Sequence, residues 1–166
     1  MQVPIRKPGK YSMQKVDQYL TEEKLNQFKN QLAKLKDYSQ PHAITELQRL
    51  AELGDFSENA AYQMAKGKLR GINQRILELD NRIKHAIVIK PTGATEKIQL
   101  GNRVTVEING LQQTYLLLGS TETNPLEGII SHNSPIGNAL LGHRVGDAIQ
   151  ISLRDRMVSY KIIKIE

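Results

Sequence analysis

The sequence predicts a two-domain α+β protein, an antiparallel α-helical coiled-coil hairpin followed by a mostly antiparallel sheet with one short helix. Three observations carry that prediction. Tyr62, Ala65, Leu69, Ile72, Ile76, Leu79, Ile83 and Ala86 alternate spacings of three and four without a break, which is a heptad seam. After residue 97 the apolar period drops from helical to two. Within that second region Asn109-Gly110 separates two strand-like runs, the pair that tight hairpin turns favour.

Residues 1–17 hold two prolines and little apolar periodicity, so they read as a flexible leader. The hairpin is expected over residues 18–90. From Leu20 the pattern turns helical, with Leu25, Phe28, Leu32 and Leu35 on one face. The face resumes at Ile44, Leu47 and Ala51, nine residues on from Leu35 where a heptad would give seven, and Pro41 sits in the gap. This predicts a kink or short interruption between Tyr38 and His42. A second helix from Ala60 to Ala86 would be about 40 Å long. The connection between the helices is short, so they must fold back antiparallel and hold their loop out as a tip.

Pro91 to Lys97 reads as a linker and residues 98–166 as the second domain. Arg103 to Ile108 and Leu111 to Leu118 form the predicted hairpin, with further strands at Glu127 to Ser131, Ala148 to Leu153 and Met157 to Ile165. Between them Ser134-Pro135 supplies an N-cap and first-turn proline for a short helix that Gly142 ends.

Composition narrows the function classes. There is no cysteine, and His42, His85, His132 and His143 lack any spacing that recurs in zinc motifs, which argues against a structural metal. No signal-peptide or membrane-spanning run occurs, so a soluble, cytoplasmic protein without membrane contact is expected. Residues 1–90 carry 16 Lys and Arg against 10 Asp and Glu, whereas residues 91–166 carry 7 of each. All of the net +6 lies in the first part, which suits an anionic partner such as nucleic acid, although solvated lysines give the same asymmetry.

A loop at the end of a rod has no walls with which to build its own active site, but it is well shaped to enter another. Asp55 and Glu58 are hard oxygen donors three residues apart, suited to Mg²⁺ that completes its shell with water or phosphate oxygen. The same Asp-x-x-Glu spacing fits a capping box at the start of the second helix, and Gly54 fits the stop of the first. Spacing alone leaves both readings open.

The wording around the tip goes further. Leu53-Gly-Asp-Phe-Ser-Glu-Asn-Ala-Ala-Tyr62 resembles the tip signature of the GreA/GreB transcript-cleavage factors. Ile130-Ser-His-Asn-Ser-Pro-Ile-Gly-Asn-Ala-Leu-Leu-Gly142, followed by Val145-Gly-Asp147, is similar to the signature of that family's C-terminal domain, which has an FKBP-like fold. The resemblance spans roughly residues 18 to 166. It implies an accessory factor, itself no enzyme, that docks through its C-terminal domain on bacterial RNA polymerase and reaches down the secondary channel. There Asp55 and Glu58 would help hold the second Mg²⁺ of the polymerase, so that backtracked RNA is cut near its 3′ end. Gly54, Phe56, Ser57, Asn59 and Tyr62 match the residues that shape the tip, and Asn133-Ser134-Pro135 matches a loop implicated in polymerase docking. Ala61 stands where the family often has Glu, and Ser39-Gln40-Pro41 replaces an arginine-containing approach to the proline; neither touches the acidic pair. The isolated chain is expected to be a monomer without cofactor or nuclease activity.

With Tyr62 at heptad position a, Lys68, Arg75 and Arg82 all fall at g and form a basic flank. Contact with RNA and ion pairing across the hairpin, for instance between Lys68 and a residue near Glu46, both explain it. Lys66 and Arg70 lie nearer the tip and join the RNA-contact candidates. Gly67 and Gly71 fall on the outer face, where each costs about 1 kcal/mol relative to Ala. The nearest rival function is a channel-binding regulator or inhibitor that does not stimulate cleavage, and a structural coiled-coil adaptor is more distant. A prolyl isomerase is disfavoured, since residues 91–166 offer only Tyr115 and Tyr160 as aromatics.

Overall fold

The structure is a computed structural model that describes residues 17–52, 60–90, 93, 95–153 and 156–166. The helical part begins with strand β1 (Tyr19–Thr21), whose last residue caps the first helix, α1 (Glu22–Lys34). The Thr21 hydroxyl accepts from the Lys24 amide at 3.2 Å, and Glu22 and Glu23 place negative charge on the helix's positive end. α1 continues through a π turn, Leu35–Ser39, into α2 (Gln40–Glu52), and α3 (Ala60–Lys84) returns alongside. The return is antiparallel: Lys36 lies 4.0 Å from Asp80, while the Gln40 amide donates to Asn73 at 2.8 Å. Position numbers thus rise on one helix as they fall on the other. Twenty-five residues make α3 about 37 Å long.

The interruption predicted between Tyr38 and His42 is replaced by the π turn, through which the chain stays helical. The Gln40 N–H reaches back five residues to the Leu35 carbonyl, so one extra residue is absorbed in a single wide turn. That turn also relieves the clash between the Pro41 ring and the carbonyl four residues earlier. The inward face therefore steps eight residues from Leu35 to Ala43 and continues at Leu47 and Leu50. Ala43 and Leu50 are buried, whereas Ile44 is 39% exposed, which corrects the face read as Ile44, Leu47 and Ala51. The seam holds over α3, where Ile76 and Leu79 are buried and Tyr62, Ala65, Leu69, Ile72 and Ile83 half-buried; the helix ends at Lys84, two residues short of the predicted Ala86, which is also half-buried.

At the base of the hairpin Leu20, Phe28 and Leu79 form a small core flanked by Leu32, Leu35, Ile83 and Ala86. A second strand, β2 (Ile87–Ile89), pairs there in parallel with β1, Tyr19 opposite Ile87 and Thr21 opposite Ile89. This two-stranded ladder has no counterpart in the sequence reading, because three residues are too few for an alternation to register.

The second domain is a five-stranded sheet in the order β5-β4-β3-β7-β6. Strands β3 (Arg103–Ile108) and β4 (Leu111–Leu118) are joined by Asn109 and Gly110 at φ of +51° and +80°, the primed turn that Asn-Gly predicts. β6 (Ala148–Leu153) and β7 (Arg156–Ile165) complete the antiparallel part, and β5 (Ile129–Ser131) adds to β4 in parallel, making the sheet mixed. Helix α4 (Pro135–Leu140) covers one face, with Leu140, Val104, Leu117 and Ile162 wholly buried between them. Asn102, also wholly buried, ties the entry to this domain: its side-chain oxygen Oδ1 accepts from the Gln99 N–H and the Thr95 hydroxyl, and its side-chain NH₂ donates to the carbonyls of Gly93 and Glu166. Among the described residues no helix is long and apolar enough to cross a membrane.

Candidate functional site

The acidic pair named from the sequence, Asp55 and Glu58, lies outside the described residues, as do Gly54, Phe56, Ser57 and Asn59. What the structure gives is their frame. α2 ends at Glu52 and α3 begins at Ala60, at the end of the hairpin away from the β1–β2 ladder. Tyr62, in the first turn of α3, is half-buried on the seam. Among the described residues no group of three or more His, Cys, Asp or Glu side chains could hold a metal ion.

The basic flank divides into two sets. Arg75 is paired with Glu78 at 3.4 Å, and the Arg82 guanidinium lies 5.9 Å from the centre of the Phe28 ring, so both engage the hairpin itself. Lys66, Lys68 and Arg70, nearer the tip, are exposed. Glu46 is bonded to Arg49 at 2.8 Å, and that bond foremost, with the Lys68 charge a smaller contributor, holds its carboxyl below the ordinary carboxylate value. The predicted pairing of Lys68 near Glu46 is therefore one of proximity, the direct partner being Arg49. Gly67 and Gly71 face open space, with nothing within 4 Å of an added Cβ, and Met64 beside them is 76% exposed.

The turn Asn133-Ser134-Pro135 stands at the other end of the molecule, between β5 and α4. Ser134 caps α4 by accepting from the Gly137 N–H at 3.0 Å, and its hydroxyl donates to the Ser131 carbonyl at 2.6 Å. Pro135 takes the first helical position, and Asn133 is exposed. Tyr115 and Tyr160, the aromatics of residues 91–166, are buried in the sheet core, where burial pushes both hydroxyls up. They are packing residues rather than the walls of an isomerase pocket.

Sequence reasoning missed the residues that join this turn to the hairpin. Asp17 accepts hydrogen bonds from Ser120, and Glu122 accepts from the Thr21 N–H at 2.9 Å. Burial of Asp17 pushes its carboxyl up, but the Ser120 N–H and hydroxyl, the Tyr19 N–H and the nearby His132 outweigh it and hold the group below its ordinary value. A cleft of about 1070 Å³ opens here, lined in part by Asp17, Arg82, His85, His132 and Asn133. No local signal marks Asp17, whose Ser120 partner lies 103 residues away in the chain.

Both parts of the chain match sequence models of one family. The sequence model of the transcription elongation factor N-terminal domain matches residues 18–88, and that of the GreA/GreB C-terminal domain matches residues 93–166. Transcription elongation factor GreA of Lachnoclostridium phytofermentans is 36% identical over 89% of this chain and 94% of its own length. GreA of Macrococcus caseolyticus is 34% identical over 81% of this chain and 86% of its own. The crystal structure of Thermus aquaticus Gfh1 is 28% identical, covering 89% of this chain and 96% of that one, with a TM-score of 0.41.

Proposed function

The chain belongs to the GreA/GreB family of transcription elongation factors, and from that premise we propose that it enters the RNA polymerase secondary channel and stimulates Mg²⁺-dependent cleavage of backtracked RNA. The observation that supports this most is the rod. An antiparallel hairpin with a helix of about 37 Å, continuous on its outgoing side through the π turn, ends where residues 53–59 connect Glu52 to Ala60. Two carboxylates in that connection would be carried far from the domain that docks.

Asp55 and Glu58 are hard oxygen donors, the chemistry that Mg²⁺ takes, and they are the residues that would share the polymerase's metal. The metal would supply charge stabilisation and an activated water for phosphoryl transfer. This chain's part is to bring the carboxylates to the RNA 3′ end, to keep Lys66, Lys68 and Arg70 exposed beside that RNA, and to hold the polymerase rim through Asn133, Ser134 and Pro135. It works as a monomer and supplies no complete active site of its own.

The test is RNA 3′-end cleavage in stalled, backtracked bacterial elongation complexes with Mg²⁺, comparing the native chain with the double variant Asp55→Ala/Glu58→Ala. The expected result is stimulation by the native chain and its loss by about 100-fold or more in the variant, with polymerase binding retained. Binding by the native chain without stimulation would replace this mechanism with that of a channel-occupying regulator.

A further inference from the structure

The junction between the two domains is held by a chain of hydrogen bonds that runs from the hairpin to the docking turn. Asp17 lies two residues before the start of β1 and one residue ahead of the stretch matched by the N-terminal family model, and its side chain is only 8% exposed. One carboxylate oxygen accepts from the Ser120 N–H at 2.7 Å and the Ser120 hydroxyl at 2.8 Å, while the other accepts from the Tyr19 N–H at 3.1 Å. The Ser120 oxygen lies 2.8 Å from the Ser131 hydroxyl and accepts from the Asn133 side-chain amide at 3.2 Å. Ser131 Oγ in turn accepts from the Asn133 N–H at 3.0 Å.

Those distances admit one consistent direction for the protons. Asn133 N–H donates to Ser131, the Ser131 hydroxyl to Ser120 and the Ser120 hydroxyl to Asp17. Each bond polarises the next, and the run ends on a charge, which is where such bonds are strongest. Two further contacts on the same strand hold the same junction: the His132 ring meets the Tyr19 ring edge-on at 5.4 Å, and the carboxylate of Glu122 grips Thr21 through its N–H and hydroxyl.

We propose that Asp17 is a positioning residue, which fixes the Asn133-Ser134-Pro135 turn relative to the hairpin so that a partner gripping the turn also aims the rod. The use made of that aim rests on the function proposed above. Leverage explains why it matters: a swing of about 10° at the junction moves a point about 37 Å along the rod by about 6 Å. A shared metal site tolerates misplacement of only about 0.5 Å. Without the clamp the hairpin would have to be ordered at the moment of binding, and the loss would appear as affinity.

The absence of cysteine makes the test direct. Spin labels on Gln48→Cys and Leu126→Cys, both exposed sites in different domains, report the angle between them. The native background should give one narrow distance distribution, Asp17→Ala a broad one, and Asp17→Asn, which keeps an acceptor oxygen, a distribution in between. In the cleavage assay, Asp17→Ala should raise the half-saturating concentration about tenfold and leave the maximal rate unchanged. Each domain should still melt cooperatively, with no more than the small loss of stability that removing one hydrogen-bonded carboxylate brings, which separates positioning from folding. A distribution in Asp17→Ala as narrow as the native one, or a half-saturating concentration within about twofold of native, overturns the proposal. If the native chain fails to stimulate cleavage, the functional reading falls while the spin-label distances still decide whether Asp17 is the clamp.

Discussion

Gly119 lies so close to the carbonyl of Tyr19 that a methyl group added to it would overlap the oxygen. The obstacle is backbone on β1, which is itself paired to β2 and cannot turn aside as a side chain would. Gly119→Ala should therefore force the two domains apart at a cost of about 1–3 kcal/mol. Calorimetry should show a lowered midpoint and limited proteolysis faster cutting near residue 119. A variant as stable as the native chain would mean that the strand yields.

The hairpin base has little apolar material, so each of its buried side chains counts. Leu79 is 1% exposed among Leu20 and Phe28, and Leu79→Ala should cost about 2–5 kcal/mol in denaturant unfolding followed by helical circular dichroism. Leu77, two residues away and 70% exposed, is the internal control. Its alanine variant should stay within about 0.5 kcal/mol of native.

Gly67 and Gly71 weaken α3 where nothing touches them. Gly67→Ala and Gly71→Ala should each stabilise the hairpin by about 1 kcal/mol, seen as a higher urea midpoint. Cleavage activity measured on the same variants decides whether a partner needs the missing side chains: a stabler but less active chain would show close approach at this face.

Stability should also carry the titration of Asp17. Its folded value lies below the ordinary 3.8, so its contribution is fully present above that value and is lost as pH falls through the lower folded one. The stability gap between the native chain and Asp17→Asn should be present at neutral pH and close as pH falls below about 4. A gap that persists undiminished below that pH would contradict the hydrogen bonds drawn to this carboxylate.

Much of the architecture was legible because its signals are local and repeated. The α3 seam needs only spacing, and the Asn109-Gly110 turn needs only residues that accept positive φ. The inward face of α2 was misphased because Ile44 is the more apolar neighbour of Ala43, and no composition rule marks a turn that takes in one additional residue. Parallel pairing of β1 with β2 and of β5 with β4 escaped for a different reason, since short parallel strands meet through contacts distant in sequence. The site divides in the same way. The tip acids were named from the wording of one contiguous segment, whereas Asp17 and Glu122 gain their roles only from partners across the fold.

An α-helix turns about 100° per residue, so adding or removing one residue ordinarily swings everything downstream to a new azimuth. The π turn at Leu35–Ser39 acts as a phase corrector: it takes up a single residue while α2 keeps its bearing on α3. Length changes at this one place are therefore silent to the compass heading of the rod's far end. Deleting the exposed Tyr38 should tighten the turn to an ordinary α-helical one and leave Ala43 and Leu50 facing inward. Deleting Gln48 instead should rotate Leu50 out of the seam. At this turn the rod's reach can thus drift by a residue while its aim stays true.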